Sequence, residues 1–219
     1  MKLFDLDGPF QRYGTIVFDL IVLNLFWLMI SMLSFGLLQG VALTGLYSGV
    51  YAGIVTSEGY SFKQFFARMK QRFLPSLIAG IVSTLLTILS IANLYLTLVA
   101  NVNLIGFIPN VVLIPIYVFI FLEISFVTTF IFPVIAHTDL SLKESLKAAF
   151  YLAHKHLPTT VLTTVLNGIM VLVVVFIALG AVGLFPLLLF GMGIVASMNS
   201  YFISKRILFK YETFIGTSV

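Results

Sequence analysis

The side chains able to do chemistry are few, and most lie inside apolar runs. Glu123 is the one acid deep within such a run. A charged carboxylate at mid-membrane costs about 2.5–3.5 kcal/mol on insertion scales, so it must be protonated or paired. No Lys or Arg lies within another run to pair with it, and Asn93, Asn167 and Asn199 are the hydrogen-bond partners on offer. Two readings follow: a proton- or solute-coupling site, or a neutral carboxyl tying helices together. Asp19 lies about one turn inside the first run, where a carboxylate suits a helix N-terminus and can reach water or Arg12. Asn24, a turn further in, is expected to bond a neighbouring helix. Gly45, Gly49 and Gly53 form a small-xxx-small ridge that lets helix backbones approach closely, either within one bundle or between copies. His154 and His156 are two apart and diverge on a helix, so they do not make the i, i+4 metal pair. There is no Gly-Lys-Ser/Thr of a phosphate-binding loop, and no cysteine. No catalytic residue, metal or cofactor is called for.

The elements that carry these residues are set by composition. Of 219 residues 60% are hydrophobic and 9% charged, against about 25% charged in a soluble domain. That excludes a soluble enzyme and a nucleic-acid-binding domain, whose basic residues would also line a groove with aromatics. The chain reads as a single all-α membrane domain, 1–219, a polytopic helical bundle. Apolar runs cover 15–38, 41–56, 73–100, 107–133, 159–179 and 184–204. A crossing helix needs roughly 20 apolar residues; five runs suffice and 41–56 is short. The polar N-terminus lacks a cleavage site, so the first run is expected to stay as a span.

All twelve Lys and Arg fall in 1–14, 57–72, 134–158 and 205–219, and none in the alternate connections. The positive-inside rule then predicts about six spans with both termini cytoplasmic. This partition requires 41–56 to cross. In 61–73, Phe62, Phe65, Phe66, Met69 and Phe73 share one helical face, with Arg68 and Arg72 off it. Ser61 with Gln64 predicts a capping box. In 141–157, Leu142, Leu146, Ala149 and Ala153 share a face, Lys143 and Lys147 lie nearby, and Ser141 with Glu144 predicts the same box. Both segments are expected as interfacial helices, apolar side toward lipid and basic rim toward anionic headgroups. Alternatively they dock a soluble partner through Phe62, Phe66, Arg68, Arg72, Lys143 and Lys147. Each helix is followed by a proline at the next span, Pro75 and Pro158. The unit of span, surface helix and span therefore recurs at 41–100 and 107–179, a parallel internal repeat.

Several stretches resemble the YesL family of small bacterial integral membrane proteins. They are Tyr13-Gly14 through Phe18-Asp19 to Trp27, the Phe-rich loop Tyr60 to Phe73, Phe132-Pro133-Val134 through Asp139 to Pro158, and Met198-Asn199-Ser200-Tyr201-Phe202. Ser34-Phe35-Gly36 replaces a Pro-containing turn, and Arg72 replaces an Asn. The resemblance implies a non-enzymatic accessory subunit of a carbohydrate ABC transporter (an importer), bound to its permease or ATPase, and supplies no catalytic residues. A permease itself would carry a Glu-Ala-Ala coupling segment, which Lys147-Ala148-Ala149 lacks. An autonomous small-solute transporter or channel, or a membrane scaffold or sensor, are the alternatives. The bilayer is the expected partner, self-association is open, and nucleic acid is excluded.

Overall fold

The computed structural model describes residues 9–55, 61–102, 106, 109–179 and 185–203. Every regular element among them is helical: α1 (Pro9–Leu33), α2 (Gln39–Val50), α3 (Ser61–Gln71), α4 (Phe73–Leu98), α5 (Asn110–His137), α6 (Leu142–Lys155), α7 (Leu157–Leu179) and α8 (Phe185–Asn199). Helices satisfy every backbone group internally, which the hydrocarbon core demands. Gly14–Leu33, Phe73–Leu98 and Asn110–His137 are long and apolar enough to cross a membrane, with mean hydropathies of 2.3, 2.1 and 2.4. α4 and α5 turn exposed Leu85, Leu89, Val111 and Phe119 outward, a surface suited to lipid and not to water. The chain is a helical membrane protein.

α2 is the axis of the bundle. Every residue from Gly40 to Val50 is buried, and α1, α3, α4, α5 and α8 all pack on it. A helix apolar on all sides needs such a central place. It ends in a π-helical turn, Tyr51–Val55. The turn from α1 into α2 uses left-handed backbone at Phe35 and Gly36, φ 51° and 83°.

The helix at 61–73 does not offer its whole apolar face to lipid. α3 lies along α2 in the opposite direction, on the glycine ridge. A Cβ built on Gly45 would stand 2.9 Å from the Phe65 carbonyl oxygen, and one on Gly49 2.8 Å from that of Ser61. Phe65 is fully buried there, and Phe62 and Met69 pack against the same core; Phe66 and Phe73 remain exposed. α6 likewise runs back along α5, burying Ser145, Ala149, Leu152 and Ala153. Periodicity finds an apolar face but does not distinguish lipid from protein as its cover. The ridge decides, because only backbone without Cβ lets a second helix sit this close.

Two further contacts place the other helices. α2 and α4 cross at Gly40 and Gly80, where a Cβ on Gly40 would lie 2.5 Å from the Ser76 carbonyl oxygen and 2.6 Å from Gly80 Cα. α1 and α8 meet where Gly193 N–H donates to Asn24 Oδ1 at 3.0 Å.

Candidate functional site: an arginine clamp, a polar cavity and the Glu123–His154 pair

The basic edge of α3 folds inward. Arg68 donates through Nε to the Ala136 carbonyl (2.7 Å), through Nη2 to the Thr138 carbonyl (2.7 Å) and through Nη1 to Asp139 (2.9 Å). Nη1 also reaches Gln71 at 3.3 Å. Arg72 donates to the Leu140 carbonyl. The two arginines thus cap the C-terminal carbonyls of α5 and the link into α6, where cations complement the helix dipole. Burial and the neighbouring Arg68 pull the Arg72 guanidinium below its ordinary value, with Asp139 opposing. Arg68 and Arg72, expected above as docking candidates, are thus both engaged within the chain. Phe62 is also turned inward, edge-on to Phe26 at 6.2 Å. Phe66, Lys143 and Lys147 remain exposed.

Beside the clamp is a polar cavity of about 280 Å³, lined by Ser48, Tyr51, Gln64, Arg68, Gln71, His137 and Asp139 among others. The π-helical turn of α2 brings Tyr51 to it, and the Tyr51 and His137 rings meet at 4.7 Å, tilted by 59°. The guanidinium donors described here are directed to protein acceptors, and its charge is matched by Asp139. This cavity was not legible in the sequence. Its residues come from α2, α3 and the end of α5, and no spacing joins them.

Glu123 is paired after all, with His154 on α6. His154 Nε2 lies 3.1 Å from one carboxylate oxygen and 3.3 Å from the other. His154 Nδ1 faces the Phe150 carbonyl at 2.9 Å, so Nδ1 must carry the proton. The contact with Glu123 then holds one further proton, on imidazole or on carboxyl. The Phe150 carbonyl and then Glu123 push the His154 imidazole above its ordinary value, against desolvation. None of the three asparagines supplies this partner. Asn199 instead donates to the Tyr47 hydroxyl at 2.8 Å, buried, and Asn167 sits half-buried on α7.

Asp19 accepts from the Ser61 hydroxyl at 2.6 Å, and the Arg12 side chain lies outside the described residues. Ser61 is the first helical residue of α3, so its hydroxyl ties α3 to α1. The expected box on α6 is present: Ser141 Oγ accepts from Glu144 N–H, and Glu144 accepts from Ser141 N–H at 2.9 Å. The Ser141 hydroxyl, which donates to the carboxylate at 2.7 Å, and then the Ser141 N–H hold the Glu144 carboxyl below its usual range. Gly53 completes the ridge, its Cα facing Ser61 and Asp19.

Comparison with known proteins agrees with the motifs. The chain is 27% identical over 188 residues to "Uncharacterized protein YesL" of Bacillus subtilis (strain 168), covering 82% of this chain and 77% of that one. No family model matches the chain, and no solved structure does. The chain is thus similar to YesL over most of its length, in keeping with the resemblance carried by its motifs.

Proposed function

We propose that this chain is a non-enzymatic accessory membrane subunit that binds a carbohydrate ABC importer through the end of the bundle formed by α3 and α6. One observation carries the reading: the arginine clamp locks α3 to the α5–α6 link through bonds from Arg68 to Ala136, Thr138 and Asp139. A preorganised surface loses little entropy on docking, and it presents Phe66, Lys143 and Lys147 outward. The importer as partner rests on the family resemblance. Six spans, cytoplasmic termini and the repeat belong to the same proposal. The charge partition supports the spans. The shared path supports the repeat: α3 folds back on α2 before α4, and α6 on α5 before α7.

The test is purification in mild detergent with partners identified by mass spectrometry. Importer subunits should co-purify, and Phe66→Ala with Lys147→Glu should release them while the protein stays folded in the membrane. Absence of any ABC subunit with the wild type would refute it. A second reading, an autonomous transporter, is favoured by the Glu123–His154 pair, since intramembrane carboxylate–imidazole pairs serve as proton relays. It requires Glu123→Gln to abolish solute uptake with the fold intact.

A further inference from the structure

We infer that the face shared by α4, α5 and α6 is a site for one anionic phospholipid. A cavity of about 330 Å³ opens there, lined by Val82, Leu86, Val127, Ile131, Leu146 and Phe150 among others. Almost all of its wall is hydrocarbon. Leu146 and Phe150 stay half-exposed, 51% and 53%, although they sit on a helix whose opposite face is packed in the core. Water would not remain in such a groove, and on helices that cross a membrane the available filler is an acyl chain.

The shape fits a chain. The groove follows α5 from Ile131 to Glu123, eight residues or about 12 Å at the helical rise of 1.5 Å. Its floor includes Ala79 and Ser83 on α4, small residues that leave the room. Glu123 stands at the far end, facing His154, so the deep end is not a bare carboxylate that would repel an anionic lipid.

The charge lies at the other end. Leu142 lines the groove where α6 begins. Lys143 and Lys147, one turn apart and both exposed, follow on the flank next to Leu142 and Leu146. Arg72 donates to the Leu140 carbonyl, two residues before Leu142. Two lysines with an arginine nearby, at the mouth of a hydrocarbon slot, match a phosphate headgroup above its own acyl chain. This differs from diffuse attraction of a basic helix to a surface, because headgroup and chain sites are held in one fixed geometry.

The full chain would be placed in nanodiscs of equal phosphatidylglycerol and phosphatidylcholine, extracted gently, and its retained phospholipid counted by native mass spectrometry. About one phosphatidylglycerol per chain is expected, in preference to phosphatidylcholine. Lys143→Gln with Lys147→Gln should lower that preference by about 30-fold without altering thermal unfolding. Ser83→Phe should remove the retained lipid by filling the slot, and Ser83→Ala should keep it. Equal retention of both lipids by the wild type would overturn the site. So would retention untouched by Ser83→Phe in a folded protein, or a change of oligomeric state with Ser83→Phe, which would make the face a protein interface.

Discussion

Gly49→Ala isolates the packing of α3 on α2 with a single methyl group. A Cβ at Gly49 would meet the Ser61 carbonyl oxygen at 2.8 Å and the two Leu23 methyls at 3.0 and 3.3 Å. The Leu23 methyls can rotate away, but the Ser61 carbonyl is backbone and moves only if α3 moves. Overpacking of this kind costs about 1–3 kcal/mol. Alanine also regains about 0.5–1 kcal/mol of helix propensity, so the net loss is roughly 1–2 kcal/mol. Gly168 on α7 is the matched control, because a Cβ there meets nothing within 4 Å. Gly168→Ala keeps the propensity gain alone and should stabilise by about 0.5 kcal/mol. Thermal unfolding in mild detergent, followed by the single tryptophan, Trp27, reads both. Opposite signs are expected, with Gly49→Ala lower by several degrees. Equal midpoints for the two variants would refute the close approach of α3.

Arg68→Lys should destabilise by about 2 kcal/mol, since an ammonium cannot span the Ala136 and Thr138 carbonyls together; Asp139→Ala should cost under about 1 kcal/mol, its side chain being 84% exposed. The His154 imidazole is raised in the folded state, so its contribution to stability is fully present below the unfolded histidine value and is lost as pH rises through the folded one. Glu123→Gln should lower the His154 value in an NMR titration and flatten that loss, and an unchanged titration would deny the pairing. Single cysteines at Lys63 and Lys147 should label only from the cytoplasmic side and one at Gly106 only from outside; the buried Phe65 and Ser145 are unsuitable probes.

Much of this arrangement was legible in residue types. Apolar runs located α1, α4, α5 and α7, and Ser141 with Glu144 located the start of α6. The Gly45, Gly49 and Gly53 spacing located a close helix contact but left its partner open, since any small-residue ridge accepts any helix. The partner is α3, whose apolar face reads equally well as lipid-facing. Arg68 and Arg72 read as a free basic rim because charge on an amphipathic helix is normally solvated; the carbonyls that capture them, at the end of α5 and in its link to α6, are about 70 residues away in sequence. The Glu123–His154 pair is missed because the partners considered, cations and asparagines, were all sought inside the spans. One signal existed: 14 residues of α6 folded back along α5 cover about 21 Å at 1.5 Å each, enough to return a side chain from near His137 to the level of Glu123. Gly40 and Gly80 carry no local signal, as their meeting depends on how α2 and α4 cross.

The most direct measurement of the docked arrangement is a photo-cross-link from Met69, whose side chain lies against Gly45. A diazirine-bearing methionine analogue at position 69 would be activated in native membranes and its adducts mapped by mass spectrometry. Helix α3 seated on the glycine ridge predicts adducts within 39–50 of the same chain. Adducts predominantly on phospholipid would instead place α3 in the membrane interface and contradict the account.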